Sequence, residues 1–246
     1  MGSEGNLGII TEAVIRIRPT PEVKKYGSIV FPDLELGIKF MEEMAHARLW
    51  PASCRLLDNV QFKFGASLKV ENERRIDDVI DSIKKFFLLN VKGFDQDKLC
   101  AVTLLYEGRK EETQIQERNA LAIAKKYGGL NGGEENGMRG YFLTFMIAYI
   151  RDFIMGKYYI AESMETSCPW SKVSSSISKC KEKIIELCKL KGVKEEYVFA
   201  SFRVTQLYET GAAIYIYIGF NFYPKSVKEA VDIFEEVEEG ARIVLI

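Results

Sequence analysis

From residue 212 the chain alternates without a break. Ile214, Ile216, Ile218, Phe220 and Phe222 fall on one side of an extended segment, and Tyr215, Tyr217, Gly219, Asn221 and Tyr223 on the other. This period of two predicts a strand, AAIYIYIGFNFY, with one face in a core. YVFASFRVTQLYE precedes it as a second strand, and Gly211 turns the chain between them. Shorter runs predict further strands: YGSIVF (26–31), PASCRLL (51–57), LCAVTLLYEG (99–108) and YYIAESMETS (158–167). EAVIRIRP also alternates and stops at Pro19, which predicts a strand over residues 13–18.

Between these runs the spacing is helical. Leu34, Ile38, Met41, Ala45 and Leu49 recur on one side after Pro32 and Asp33, and ERRIDDVIDSIKKFF (73–87) keeps the same period. The charged run up to Tyr127 predicts another helix, and GGLNGGEENG (128–137) a loop. SKVSSSISKCKEKIIELCKLKG predicts a helix capped by Gly192. In SVKEAVDIFEEVEEGARIVLI the stripe is Val227, Val231, Phe234, Val237, Ala241 and Val244. FLTFMIAYI (142–150) runs straight into Arg151 and Asp152; it predicts a buried helix or strand, being far shorter than the roughly 20 residues that span a bilayer. Strands mixed with helices, including a tight strand pair, predict an α+β unit: a mostly antiparallel sheet flanked by helices. The Pro-containing stretch TPEV divides the chain into residues 1–19 and 20–246.

Composition narrows the chemistry. Lys+Arg number 34 and Asp+Glu 35, with no basic stripe, which excludes phosphate-backbone binding and hence nucleic acid as an expected partner. The five cysteines, Cys54, Cys100, Cys168, Cys180 and Cys188, form no C-x-x-C pair, and His46 is the single histidine; neither a metal site nor a disulfide framework is expected. No targeting signal is legible in this stretch of chain.

GSEGNLGIITEAVIRIRP resembles the closing segment of the FAD-binding domain in vanillyl-alcohol-oxidase-type flavoproteins. PASCRLLDN, LLYEG, NGMRGYFLTFMIAYIRDF, ESMETSCPW and RVTQLYETGAAIYIYIGFNFY together resemble the cap, or substrate, domain of the alkyldihydroxyacetonephosphate synthase family. The resemblance implies that 1–19 is a stub of the FAD-binding domain and 20–246 a cap domain truncated at both ends, lacking a histidine-rich active-site loop. It also implies a transferase that exchanges the acyl group of acyl-dihydroxyacetone phosphate for a long-chain fatty alcohol, using FAD without net redox. By the same resemblance the intact enzyme is a peroxisomal homodimer associated with a membrane surface. The alternatives are an FAD-dependent hydroxy-acid oxidoreductase and a non-catalytic lipid- or partner-binding fragment.

Site residues follow from matched motifs. Tyr215 matches the family's catalytic tyrosine; periodicity alone makes it a half-buried sheet tyrosine, and an ordinary pKa of about 10 calls for a nearby cation if it is to act as a base. Arg151 matches the residue holding the substrate phosphate, for which a guanidinium fork is suited, although an ion pair with Asp152 suits the residues equally. Arg55, Glu107, Arg203 and Thr205 match supporting positions. Glu4, Gly5, Asn6, Leu7, Gly8, Ile9 and Ile10 match the segment whose backbone passes close to the flavin. Tyr215 and Arg151 are expected to share one pocket that opens toward residues 4–10.

Overall fold

The computed structural model describes residues 5–67 and 92–245. Seven strands are seen: β1 (Val23–Phe31), β2 (Ser53–Leu57), β3 (Cys100–Gly108), β4 (Leu130–Asn131), β5 (Tyr159–Pro169), β6 (Val198–Tyr208) and β7 (Gly211–Asn221). They make one sheet of order β4-β1-β3-β2-β6-β7-β5, with antiparallel neighbours throughout. The helices are α1 (Leu34–His46), α2 (Asn59–Ser67), α3 (Lys110–Lys126), α4 (Glu134–Met155), α5 (Trp170–Leu190) and α6 (Val227–Ile243). The expected α+β class with a mostly antiparallel sheet is therefore the observed one. The helix expected over 73–87 lies outside the described residues.

The sheet order separates the two halves of the chain. β1 to β4 pair among themselves, β5 to β7 pair among themselves, and the halves meet only where β2 faces β6, with Leu56 opposite Val204 and Leu57 opposite Arg203. Across that seam runs one continuous core. Ile214, Ile216, Ile218 and Phe220 of β7, Phe202 and Val204 of β6, Leu56 of β2 and Val102 and Leu104 of β3 are buried in one cluster. Phe40, Met41 and Met44 of α1, Ala120 and Ile123 of α3, Ile177 and Ile184 of α5, and Phe234 and Val237 of α6 complete it. Asp33 caps α1, its carboxylate accepting from the Leu36 N–H at 2.9 Å, and Ser226 and Glu229 form a reciprocal capping box on α6. In α6, Phe234, Val237 and Ala241 of the expected stripe are buried, but Val227 and Val231 are exposed and Ala230 and Ile233 take the inner positions. The inner stripe is set by where α6 meets α5, one residue round from the apolar count.

The opposite face of the sheet carries α4 and α2. α4 passes over β1 so closely that a Cβ at Gly137 would lie 2.3 Å from the Gly27 carbonyl oxygen, and one at Gly140 would lie 2.6 Å from Thr103 Cγ2. Glycine is needed at 137, where the neighbouring atoms are backbone and a side chain would push the helix off the sheet; at 140 the Thr103 side chain would have to turn aside. Ser28 secures its start, donating to the Gly133 carbonyl at 2.8 Å while its own carbonyl accepts from Gly132 N. α4 corrects two expectations. Residues 134–137 are helix rather than loop, and the apolar run is a helix that is not buried: Phe142, Phe145, Tyr149 and Phe153 point outward, Phe145 being 72% exposed. A single helix on a flat sheet can bury only the side that meets it. Among the described residues no helix is long and apolar enough to cross a membrane.

The strand expected over 13–18 is absent. These residues are exposed and unpaired, because a strand needs a neighbour and among the described residues none is offered.

Candidate active site

Tyr215 and Tyr217 project from β7 on the face opposite the core, where α4 and α2 lie. The strong alternation of β7 dictates this: its isoleucines claim the core side and leave the tyrosines half-buried on the other. The two rings are 5.3 Å apart. Across the ladder Tyr215 is flanked by Arg203 of β6 and Glu165 of β5, and Tyr217 by Ser201 and Ser163. The Ser163 hydroxyl lies 3.4 Å from that of Tyr215. Arg203 also packs over Tyr217, its guanidinium carbon 5.8 Å from the ring centroid. Burial raises the Tyr217 pKa above its ordinary value, partly offset by the charge of Arg203, while burial works against the charge on Arg203 itself.

Arg203 is held from behind. Its Nε donates to Gln61 Oε1 at 2.9 Å. Gln61 is itself fixed at the first turn of α2, where its N–H donates to the buried Asp58 carboxylate at 2.9 Å. Asp58 accepts two further bonds, from Ser201 Oγ at 2.8 Å and from the Phe202 N–H at 3.0 Å. Burial nevertheless leaves its pKa above the ordinary carboxylate value.

Arg55 stands on β2, on the same face, opposite Thr103. Its guanidinium lies 5.0 Å from the Tyr141 ring and its Nη1 3.3 Å from Thr144 Oγ1, both on α4. Arg151, near the end of α4, is 47% exposed; it faces Asp152 Oδ1 at 3.6 Å and Glu162 Oε2 of β5 at 3.9 Å. Glu162 and Ser163 are successive residues of β5 and so point to opposite faces of the sheet; among the described residues no hydrogen bond or ion pair joins Arg151 to Tyr215. Thr205 sits in a bulge of β6, which re-aims its hydroxyl toward Glu165 Oε1 at 3.3 Å and the Ala213 carbonyl at 3.4 Å. Glu107 is not among this group. It pairs with Lys24 of β1 at 3.3 Å, with β2 and β6 between its strand and β7.

Of the segment expected to meet the flavin, Gly5–Ile10 is described and Glu4 lies outside the described residues. Leu7, Ile9 and Ile10 are exposed, Ile9 by 93%, and among the described residues no hydrogen bond ties 5–19 to the rest of the chain. Gly5 and Gly8 have φ of +77° and +141°, with open space where a Cβ would stand. The main chain there is bare enough for a planar ring to approach, so these residues fit the edge of an FAD site without forming one alone. Among the described residues no group of three or more His, Cys, Asp or Glu could hold a metal ion. An open pocket at the end of β5, β6 and β7 is lined by Glu165, Cys168, Gln206, Tyr208 and Gly211 among others; neither Tyr215 nor Arg151 lines it.

Tyr217, Ser163, Glu165, Tyr141 and Gln61 were not singled out by sequence. Tyr217 shares the face of Tyr215 and was within reach of the alternation. Gln61 depends on α2, for which the apolar spacing gives no clear helical signal.

Comparison with known proteins agrees with this architecture. The chain is 43% identical over 242 residues to alkyldihydroxyacetonephosphate synthase of Caenorhabditis elegans, covering 98% of this chain and 40% of that protein. It is 34% identical over 131 residues to glycolate oxidase subunit GlcD of Bacillus subtilis, covering 51% of this chain and 27% of that one. A solved alkyldihydroxyacetonephosphate synthase superposes with a TM-score of 0.81 at 18% identity, over 100% of this chain and 43% of that chain. The chain thus spans about 40% of the length of the synthase relative. The sequence profile described as FAD linked oxidases, C-terminal domain, matches residues 20–244, and the chain belongs to that family.

Proposed function

We propose that the protein containing this chain is an alkylglycerone-phosphate synthase that replaces the acyl group of acyl-dihydroxyacetone phosphate with a long-chain alcohol. FAD, when bound, supplies an electron-accepting ring without net redox. Tyr215 moves the proton at the carbon that exchanges its substituent, with Arg203 as the cation beside it on the next strand. Arg151 contributes a phosphate contact at the mouth of the site. The observation that carries the reading is the cation set directly across the ladder from the phenol, Arg203 opposite Tyr215. The 43% identity to a synthase supports it.

The test is Tyr215→Phe in the full-length protein, assayed for release of fatty acid in the presence of a long-chain alcohol. Loss of exchange with unchanged folding is expected; retained exchange overturns the role. The partial likeness to a glycolate oxidase subunit favours a second reading, a hydroxy-acid oxidoreductase. Reduction of an electron acceptor by a 2-hydroxy acid would select it.

A further inference from the structure

A line of buried polar groups ends at Arg203. Among the described residues six polar side chains are buried, and Asp58, Gln61 and Ser201 are three of them. One carboxylate joins these three. Asp58 stands just before α2: its Oδ1 accepts from the Gln61 N–H, as a helix cap does, and from Ser201 Oγ, while its Oδ2 accepts from the Phe202 N–H. Its own N–H donates to the Phe202 carbonyl at 3.1 Å. The helix that carries Gln61 and the strand residues beside Arg203 are thus fixed to the same side chain. From there Gln61 Oε1 accepts from Arg203 Nε at 2.9 Å. Buried polar groups give up their solvation, so such a network persists only with its bonds made, and in return it holds its members in one geometry.

The last link is a neutral one. Among the described residues Arg203 makes no ion pair. The ionisable groups that act on its charge are Tyr217, Arg55, Asp58 and Tyr141, and the carboxylate among them is turned to the three donors above. A carboxylate in the place of Gln61 would hold the guanidinium equally well but cancel its charge. An amide oxygen holds it and leaves that charge to act on the phenols of β7. The guanidinium carbon lies 5.8 Å from the centre of the Tyr217 ring, and Tyr215 stands opposite Arg203 on the ladder. We propose that Gln61, anchored by Asp58, is a positioning residue that aims the uncancelled charge of Arg203 at Tyr215 and Tyr217. Only what the phenols do with that charge rests on the function proposed above; where Arg203 is held does not.

Two measurements test it. In the chain carrying isotope-labelled arginine, the Arg203 Nε–H signal is identified by its absence from Arg203→Gln, and its exchange with water is followed by NMR. Slow exchange is expected, accelerated about tenfold or more in Gln61→Met, as for loss of a hydrogen bond from a charged group, and kept slow in Gln61→Glu, which retains an acceptor. Fast exchange in the parent, or unchanged exchange in Gln61→Met, overturns the positioning. In the full-length protein both variants should lower kcat for fatty-acid release with a long-chain alcohol by about tenfold, with KM changed by less than about twofold, because one frees the charge and the other cancels it. In the Arg203→Gln background Gln61→Met should cost nothing further, since it acts through the arginine. An equal loss in that background, or parental kcat in Gln61→Glu, overturns the role given to the charge. Exchange at Nε–H needs no substrate, so the positioning of Arg203 and the Tyr215→Phe assay fail separately.

Discussion

Replacing Gly137 by alanine tests whether the contact between α4 and β1 is as tight as it looks. The added methyl would sit 2.3 Å from the Gly27 carbonyl oxygen and 2.6 Å from its carbonyl carbon. The optimum separation is about 3.5–4.0 Å, so helix and strand must part by about 1 Å or more. Both neighbours are backbone, and no side-chain rotation can relieve the clash. Overpacking of this kind costs about 1–3 kcal/mol, against which the better helix propensity of alanine returns up to about 1 kcal/mol. A net loss of roughly 1–2 kcal/mol in a chain of this size lowers Tm by about 2–8 °C. Thermal unfolding followed by circular dichroism measures it. Gly156→Ala, where a Cβ meets nothing closer than 3.4 Å, is the control and should leave Tm nearly unchanged. A Tm equal to or above the parent would refute the close approach.

Other outcomes follow from the same coordinates. Ile216, fully buried at the centre of β7, should cost about 2–5 kcal/mol on replacement by alanine, read as a lower urea midpoint. Asp58→Asn replaces one acceptor oxygen by a donor beside N–H and O–H groups that already donate there; a loss of about 1–3 kcal/mol at neutral pH is expected from chemical denaturation. Glu43 accepts from Lys126 and from the Tyr127 hydroxyl, which lower its pKa, the Lys126 bond contributing most. With the folded value below the unfolded one, the stabilisation is present above the unfolded pKa and disappears as pH falls through the folded one. The Tm difference between parent and Glu43→Gln should therefore shrink between neutral pH and the acid range, and a difference that grows would contradict it.

How much of this was legible follows a physical rule. β7 could be read residue by residue because its two faces meet different surroundings, core on one side and half-buried polar groups on the other. The same alternation in residues 13–18 misled, since a pattern shows what a strand would bury but cannot supply the strand to pair with. The middle of α4, residues 141–150, carries no charge on any side, so periodicity could not say which side meets the sheet, and the short apolar run was read as interior. The site was legible only singly. Tyr215, Arg151, Arg55 and Arg203 each carried a motif, but their neighbours Ser163 and Glu165 are set by the β5–β7 register, and Gln61 by a helix start 142 positions from the arginine it holds.

The narrow meeting of β2 with β6 ties chemistry to maturation. Arg55 is delivered by one half of the polypeptide and Arg203 and Tyr215 by the other; the ladder between them is two residue pairs long, and Asp58 and Gln61 add side-chain bonds across it. The face that carries these side chains is therefore complete only once the two halves are joined, and a substitution that loosens the join disturbs all three residues together.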